Sequence, residues 1–356
     1  MPREGVVLRS ISSFYEVLCE DDLVTCQVRG RLKKEKVRVL IGDRVRIEEA
    51  AEKKENQSAM ITEVLPRRAL LRRPMLANVD RLIIVFATDR PPFNPRLLDR
   101  FLILAATNEV QPVICFNKID LVDEERLKEI SRPYQELGYP VIQTAAKLGI
   151  VKELLPWIEG KLSVFAGPSG VGKSKILSKL CPGLELVSGE VSEKLGRGTH
   201  TTRHASLYPV VGGLVADTPG FSLLEFEGVT GFAGYAGIAP EALGWLYPEM
   251  APHIPECKLS KCLHHLEPQC AVKEKSKISP ERYGNYLLFL QELMEIELKQ
   301  QTTSFKVDQT MKNAGERQII RLGSEARMES RQQINQHLRA LAETTEEEPE
   351  LDENEE

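Results

Sequence analysis

The chain has 356 residues, enough for two to three domains, and its 42% apolar content suffices for ordinary hydrophobic cores. Its longest uninterrupted apolar runs, Leu82–Ala87 and Phe101–Ala106, hold six residues, whereas a membrane span needs about 18. The formal net charge is -5, but residues 343–356 carry nine acids and no base, which leaves 43 acidic against 47 basic side chains elsewhere. Outside its acidic tail the chain is therefore mildly basic. We expect a cytoplasmic protein that does not use a membrane, because its first twenty residues also fit neither a signal nor a transit peptide.

The N-terminal part of the chain predicts a small β-barrel over residues 1–66. Five short β-rich runs between Gly5 and Val64 are separated by charged or glycine-containing turns. We expect an oligonucleotide-binding (OB) fold, although an SH3-like barrel has nearly the same signature. The range 29–46 holds eight basic side chains against two acids, and four arginines follow within 67–73. This clustering suits a polyanion such as RNA, and a solvated barrel face explains it equally well.

Residues 67–227 predict an α/β domain. Apolar strands alternate with helical patterns, including helices expected at 96–107, 124–137 and 151–158. Such alternation is typical of a parallel, doubly wound sheet, which binds ligands at the carboxyl ends of its strands.

The strand PVICF ends in the base motif, Asn117-Lys118-Ile119-Asp120. A carboxylate only accepts hydrogen bonds, so Asp120 can pair with N1–H and N2–H₂ of guanine, whereas adenine has an acceptor at N1. Two mismatches at about 1–3 kcal/mol each would favour guanine by about two to four decades. Asn117 can bridge to the base or to the phosphate loop, and the Lys118 stem can cover the ring.

The strand LSVFAG leads into the phosphate loop, Gly167-Pro168-Ser169-Gly170-Val171-Gly172-Lys173-Ser174, which precedes a helical pattern. This is the GxxxxGK[ST] motif in its strand-loop-helix context. Its backbone N–H groups can surround phosphates, Lys173 can reach the β and γ oxygens, and Ser174 can offer a hydroxyl to Mg²⁺. The loop alone does not distinguish ATP from GTP.

Two further segments complete the predicted phosphate site. Asp217-Thr-Pro-Gly220 follows the apolar strand LVA, where Asp217 can hold Mg²⁺ through water and the Gly220 N–H can face the γ-phosphate. Upstream, the segment 196–202 has threonines able to close over Mg²⁺, although an ordinary mobile loop has the same composition.

The spacing Cys257-x₄-Cys262-x-His264-x₅-Cys270 provides three thiolates and one imidazole, a set that suits tetrahedral Zn²⁺. Fourteen residues with few apolar side chains cannot build a core, so we predict one structural zinc per chain in a helical module at 228–299. His265 is a competing imidazole, and unliganded neighbouring cysteines are the alternative interpretation.

A helix capped by Ser279 and Pro280 is predicted to follow the cysteines. Its apolar stripe has helical spacing and should pack against the domain body: Tyr283, Tyr286, Leu287, Leu290 and Met294. Residues 300–356 are expected to form a polar, partly disordered extension with an acidic tail.

Together these motifs resemble the RsgA family of GTPases, which depend on the small ribosomal subunit and have a circularly permuted GTPase domain. The order carries the resemblance, because the base motif and Ala145-Ala146-Lys147 precede the phosphate loop, whereas ordinary GTPases place that loop first. The usual serine of that second motif is Ala145 here, which removes a hydroxyl and keeps the backbone donor. The resemblance spans about residues 5–297 and implies a multidomain protein: an OB barrel, a circularly permuted α/β P-loop GTPase domain and a C-terminal zinc-binding module with α-helices.

The resemblance also implies roles for individual residues. Thr202 would contact Mg²⁺ and the γ-phosphate, the Ala146 N–H would contact the guanine oxygen, and His264 would complete the zinc site. Phe221 stands where many GTPases have a glutamine that orients water, and a phenyl ring cannot do so. Intrinsic hydrolysis should therefore be slow, with His200 as the implied candidate beside Thr202 and Lys173 for the catalytic step.

The implied function is that of a GTP hydrolase in late maturation of the small (30S) ribosomal subunit, bound to rRNA through the barrel and the zinc module and released after hydrolysis. The expected partners are this subunit, its rRNA and GTP or GDP with Mg²⁺, and we expect a monomer. Two alternative functions belong to other classes of protein. One is a metabolic P-loop kinase, and the other is a structural RNA-binding protein whose nucleotide site is no longer active. Guanine preference tests the first, and ribosome-stimulated phosphate release tests the second.

Overall fold

The computed structural model describes residues 2–20, 22–35, 37–54, 57–72, 75–181, 206–210, 212–217 and 238–311, together with residue 336. The chain divides into two compact units, Met1–Gly228 and Val229–Glu356. Three predicted site residues, His200, Thr202 and Gly220, lie outside the described residues, as does Phe221.

The first unit begins with a closed barrel. Its strands are β1 (Arg3–Ile11), β2 (Phe14–Cys19), β3 (Asp22–Val28), β4 (Arg44–Lys54) and β5 (Gln57–Val64), with a short unpredicted helix α1 (Gly30–Lys34) between β3 and β4. The barrel closes in the order β1-β2-β3-β5-β4, and β3 and β5 pair in parallel. This connectivity is that of the OB fold rather than of an SH3-like barrel.

Alternating side chains of the barrel strands fill its interior. Each strand contributes at least one fully buried residue: Val7, Val17, Cys26, Val45 and Ile61. This period of two is what a sheet with one buried face requires. Burial raises the pKa of Cys26 to about 12, so this thiol stays protonated and packs as a small hydrophobic residue.

The basic stretch of the barrel and linker is not an uninterrupted cationic surface. Its arginines form ion pairs that join several strands: Arg29–Glu48, Arg31–Glu35, Arg44–Glu4, Arg46–Glu4, Arg46–Glu63, Arg67–Asp43 and Arg68–Asp80. Much of the stretch therefore fits the solvated-face interpretation. Exposed pairs of this kind are weak, however, and phosphate groups can compete for the same arginines.

The rest of the first unit is an α/β domain. A two-stranded ribbon, β6 (Leu70–Arg72) and β7 (Met75–Ala77), precedes the strands β8 (Arg81–Ala87), β9 (Gln111–Asn117), β10 (Val141–Gln143), β11 (Leu162–Ala166), β12 (Ser206–Val210) and β13 (Gly213–Asp217). These six strands form one sheet in the order β10-β9-β8-β11-β13-β12.

The sheet is parallel, as predicted, except at one edge. β12 pairs antiparallel with β13, which corrects the prediction of an entirely parallel sheet. Only residues 211 and 212 join these two strands, and so short a connection permits a hairpin but not a parallel crossover.

Helices cover the two faces of this sheet: α2 (Pro95–Thr107), α3 (Glu124–Glu136), α4 (Leu155–Ile158) and α5 (Lys173–Leu180). The predicted helix at 151–158 is instead a 3-10 turn, Lys152–Leu154, followed by a single α-helical turn. Proline at the second position of that turn lacks an N–H and favours a new helix start there, which accounts for the break.

The two faces of the sheet have separate cores. On one face, Ile83 and Val85 of β8 pack in the same buried cluster as Ile176 and Leu177 of α5. On the other, the ring of Phe86 lies edge-on to Phe93 and Phe101. Successive residues of β8 thus point to opposite faces, so the strand is held on both sides.

Within residues 238–311, the described part of the second unit has two 3-10 segments, Pro240–Leu246 and Ala251–Glu256, and two helices, α6 (Ala271–Lys275) and α7 (Pro280–Met311). The Ser279 hydroxyl accepts the Arg282 N–H at 3.3 Å, which is the predicted cap. Tyr286, Leu287, Leu290 and Met294 of the predicted stripe are buried and Tyr283 is half-buried. α7 continues past residue 299, where the sequence analysis places a domain boundary. None of the described helices is both long and apolar enough to cross a bilayer.

Candidate nucleotide site and metal centre

The predicted site residues lie at the carboxyl ends of neighbouring parallel strands. Asn117 ends β9, the phosphate loop follows β11, and Asp217 ends β13. β8 lies between β9 and β11, so the base motif and the phosphate loop start two strand spacings apart, about 10 Å. A nucleotide can bridge such a separation, with its base at one strand and its phosphates at the other.

Asn117 connects three of the predicted motifs. Its side chain is buried, and its Nδ2 donates to the Val171 carbonyl of the phosphate loop at 2.8 Å. Its Oδ1 accepts from the Thr144 hydroxyl at 3.0 Å and from the Ala146 N–H at 3.1 Å. The bridge to the phosphate loop is one of the two roles expected for this side chain.

The turn after Asn117 carries Lys118 and Asp120 of the base motif. Lys118 has a left-handed backbone with φ of 63°, and its ammonium donates to the Arg90 carbonyl. Asp120 lies in a 3-10 turn, Ile119–Leu121, and is exposed. Its carboxylate can therefore receive the edge of a purine base.

The Ala145-Ala146-Lys147 segment lies beside the base motif. Ala145 and Ala146 are buried and Lys147 is exposed. Ala145 exchanges two backbone hydrogen bonds with Ile150, which closes the turn. The Ala146 N–H, which the resemblance assigns to the guanine oxygen, donates here to Asn117 Oδ1, so a base would have to share this donor.

Two of the three glycines of the phosphate loop lie where a Cβ would overlap a neighbouring atom. Gly167 has φ of 137°, and a Cβ there would overlap the Val85 carbonyl of β8. Gly172 has φ of 100°, and a Cβ there would overlap Asn117 Nδ2. The loop thus packs directly on the central strand and on the base motif. Within it Pro168 and Val171 are buried, whereas Ser169, Gly170 and Ser174 are exposed.

Lys173 begins α5 and folds back over the loop. Its ammonium donates to the carbonyls of Gly167 and Pro168, each at 2.7 Å, which leaves one of its three N–H groups for a phosphate oxygen. Burial lowers the pKa of Lys173 to about 8. The charge of this side chain therefore changes as the pH passes through about 8.

The predicted Mg²⁺ ligands are only partly described. Ser174 is exposed in the first turn of α5, and the backbone of Asp217 ends β13, which is adjacent to β11. The third predicted ligand, Thr202, lies outside the described residues. The structure thus places two of the three candidate positions on adjacent strand-end segments.

Two buried threonines that contact the base motif were not singled out from the sequence. Thr88 directly follows β8 and Thr144 directly follows β10, and both threonines are buried. Their hydroxyls donate to the Lys118 carbonyl at 2.8 Å and to Asn117 Oδ1 at 3.0 Å. The signal that could have found them is their position after the two strands that flank the base-motif strand.

The cysteine cluster of the second unit gathers the four predicted ligands. The ligand atoms of Cys257, Cys262, His264 and Cys270 lie within 4.8 Å of one another. His264 Nδ1 is 3.7 Å from Cys257 Sγ and 3.4 Å from Cys270 Sγ, and these two sulfurs are 4.0 Å apart. The set could hold a metal ion, and it includes His264 rather than its neighbour His265.

The surrounding residues fix the backbone that carries these ligands. The Glu267 carboxylate accepts the N–H groups of Leu263 and His265. From α7, the hydroxyls of Tyr283 and Tyr286 donate to the carbonyls of His264 and Leu263 at 2.8 and 2.7 Å. Burial raises the pKa of the Cys262 and Cys270 thiols and lowers the pKa of His264.

Comparisons with known proteins agree with this architecture. The RsgA GTPase family model matches residues 64–227, and the RsgA N-terminal domain model matches residues 4–61. A small ribosomal subunit biogenesis GTPase RsgA from Geobacillus sp. (strain WCH70) is 43% identical over 300 residues, covering 82% of this chain and 98% of the relative. The corresponding protein of Bacillus cereus (strain ATCC 10987 / NRS 248) is 42% identical over 303 residues, with the same coverage.

Two solved structures have the same fold over most of the chain. YloQ, described as a circularly permuted GTPase, is 34% identical with a TM-score of 0.68, covering 83% of this chain and 96% of that one. YjeQ from Thermotoga maritima is 35% identical with a TM-score of 0.68, covering 83% and 99%.

Proposed function

This chain belongs to the RsgA GTPase family, and on that premise we propose that it hydrolyses GTP during late maturation of the small ribosomal subunit and that hydrolysis drives its own release. Curated relatives over 82% of the chain are named small ribosomal subunit biogenesis GTPases. We propose the same activity and the same partner for this chain.

The observation that carries the proposal is the bridge made by Asn117. This one buried side chain bonds both the phosphate loop, through Val171, and the segment that contains Ala146. A phosphate loop without a base motif would not determine whether ATP or GTP binds. With the two motifs joined, the carboxylate of Asp120 reads guanine while the loop binds its phosphates.

The chemistry would be divided between the strand ends. Lys173 and the loop N–H groups bind the phosphates, while Ser174, Asp217 and Thr202 are the proposed ligands of Mg²⁺, which when bound neutralises charge on the β and γ oxygens. We assign the positioning of the attacking water to His200, since Phe221 cannot hydrogen-bond. Because Phe221 replaces the glutamine that orients water in many GTPases, we expect slow hydrolysis until the ribosome helps to position the water.

For the cysteine cluster we propose one structural Zn²⁺ per chain. A tetrahedron with Zn–S of about 2.3 Å and Zn–N of about 2.0–2.1 Å has S···S edges of about 3.8 Å and S···N edges of about 3.6 Å. The separations of 4.0, 3.7 and 3.4 Å come near these edges. Four protein ligands would fill the coordination sphere, so the ion would stabilise the module and not catalyse a reaction.

The proposed ribosomal contact uses the barrel and the metal module. The barrel belongs to a fold that binds oligonucleotides, and its exposed arginine pairs can exchange carboxylates for rRNA phosphates. We further infer that the protein acts in the cytoplasm, where small subunits mature, and as a monomer.

The direct test is phosphate release from GTP with and without purified small ribosomal subunits. We expect slow release by the protein alone and a stimulation of at least about tenfold by small subunits, with Lys173→Ala inactive in both assays. Large subunits serve as the control and should give no comparable stimulation. A rate that small subunits leave unchanged would contradict the proposed partner.

A further inference from the structure

The base motif is flanked on both sides by a buried threonine. β9 lies between β10 and β8 in the sheet. The first residue after β8 is Thr88 and the first after β10 is Thr144, with 4% and 0% of their surface exposed. The two side chains therefore stand at the same edge of the sheet as the base motif, one on each side of it.

Both threonines bind the base motif through backbone and hydroxyl. Thr88 donates its N–H to the Asn117 carbonyl at 3.0 Å and its hydroxyl to the Lys118 carbonyl at 2.8 Å. Thr144 donates its hydroxyl to Asn117 Oδ1 at 3.0 Å, and its carbonyl accepts the Ile119 N–H at 3.2 Å. Three consecutive residues of the motif are thus held from two sides.

The held segment has an unfavourable backbone conformation. Lys118 has φ of 63°, a region that residues with a Cβ rarely adopt unless surrounding contacts require it. Asp120, which must meet the base edge, follows two residues later and is exposed. The direction of its carboxylate therefore depends on how firmly the preceding turn is held.

We propose that Thr88 and Thr144 form a hydroxyl clamp that sets guanine specificity by positioning the turn that carries Asp120. They are positioning residues, because they act through Asn117 and Lys118 and do not themselves contact the nucleotide. The proposal rests on the guanine-binding function proposed above. It assigns specificity to the residue directly after β8 and to the residue directly before the Ala145-Ala146-Lys147 segment.

Serine and alanine at each position provide a matched pair, since they lack the same methyl group and differ only in the hydroxyl. The full-length variants Thr88→Ser, Thr88→Ala, Thr144→Ser and Thr144→Ala are titrated with GDP and with IDP, which lacks the 2-amino group of guanine. One neutral hydrogen bond corresponds to about a 2- to 10-fold change in affinity. We expect each alanine variant to lose affinity for GDP by about this factor and affinity for IDP by less, so that its preference for GDP over IDP becomes smaller. Each serine variant should keep the wild-type preference.

A melting temperature for each variant separates positioning from simple stabilisation. Alanine variants that melt earlier but keep the wild-type ratio of GDP to IDP affinity would overturn the clamp. Thr88→Val and Thr144→Val, which keep the volume and lose the hydroxyl, replace alanine if an alanine variant does not fold. A wild-type protein that binds GDP no more tightly than IDP and ADP would overturn the proposed guanine-binding function as well. The failure of the clamp alone and the failure of the proposed function therefore give different results.

Discussion

At the scale of single residues, Gly172 allows the phosphate loop to pack against Asn117 of the base motif. Gly172 and Gly170 both have positive φ, of 100° and 77°, so alanine is strained at either position. At Gly172 a Cβ would also overlap Asn117 Nδ2, which is held by its bond to Val171, whereas at Gly170 the nearest atom is Pro91 Cδ at 3.8 Å.

We therefore expect Gly172→Ala to weaken GDP binding much more than Gly170→Ala does, by at least about tenfold in the ratio of their dissociation constants, which corresponds to about 1.4 kcal/mol. Calorimetric titration with GDP measures both variants. Equal losses would show that the contact between the loop and Asn117 is unimportant.

Lys173 predicts a pH dependence of nucleotide binding. Burial lowers its pKa to about 8, so the ammonium is charged below that pH and becomes neutral above it. Since only the charged form attracts phosphate, GDP affinity should fall as the pH rises from 7 to 9, by up to about tenfold per pH unit above 8. Lys175→Ala, at an exposed position of the same helix, should keep this profile, and a constant affinity over this range would contradict it.

The sequence identifies the residues that chemistry restricts to one type, and it identifies them through motifs. Lys173 and Asp120 were predicted in this way because each would supply a particular group at a particular spacing. Thr88 and Thr144 were not found, since many residues can follow a strand. Their role arises from the order β10-β9-β8, which no local pattern contains.

At the scale of elements, the metal module and α7 depend on each other. The backbone around His264 is held by Tyr283 and Tyr286 of α7, and the fourteen residues 257–270 have too few apolar side chains to build a core of their own. We expect Cys270→Ser to lose the bound metal and to increase hydrogen exchange in residues 251–275. GDP affinity should not change, because the nucleotide site lies in the other unit.

Metal analysis of the purified protein checks this expectation. Cys181→Ser is the matched control, since Cys181 is half-buried in the first unit and outside the cluster. A Cys270→Ser protein that retains one metal ion per chain would contradict the assigned ligands.

A buried ion pair fastens the start of α7 to the segment before the metal cluster. Arg282 Nε donates to Glu249 at 2.6 Å, and the two side chains are 7% and 5% exposed. Removing one partner leaves a buried charge, so Glu249→Ala should lower the free energy of unfolding by about 3–5 kcal/mol. Glu256→Ala, which removes the exposed partner of Lys275, should have little effect. Urea denaturation compares them, and similar losses would show that Arg282 finds another partner.

Elements with a strong apolar period were predictable, and short irregular ones were not. The barrel strands and β8, β9 and β11 were expected near their observed positions because buried runs specify them. β12 was missed: its sequence, SLYPV, contains a proline, and among the described strands it pairs with β13 alone, at the sheet edge. α1, with five residues, is too short for a helical period to be seen.

At the scale of the molecule, the barrel and the α/β domain fall in one unit. The buried Asp43 of the barrel accepts from Arg67 of the linker at 2.7 Å, and Arg9 of β1 lies 5.0 Å over the ring of Tyr208 in β12. Gly42 approaches the Ala77 carbonyl so closely that a Cβ would overlap it. The sequence could not predict these contacts, because the linker arginines have the composition of a solvated segment.

The order of the motifs did predict the most unusual feature of the molecule. The base motif precedes the phosphate loop in the chain, yet in the sheet only β8 separates β9 from β11, and Asn117 bonds to the loop. We therefore predict that the base motif and the phosphate loop, despite this rearranged order, bind one guanine nucleotide together.

The measurement that tests this claim most directly is the affinity of the wild-type protein and of Asp120→Asn for GDP and XDP. An amide can donate where xanthine offers a carbonyl, so the wild type should prefer GDP, Asp120→Asn should prefer XDP, and adding Lys173→Ala should abolish binding of both. An Asp120→Asn protein that binds GDP as tightly as the wild type would show that Asp120 does not hold the base and that the two motifs do not share a nucleotide.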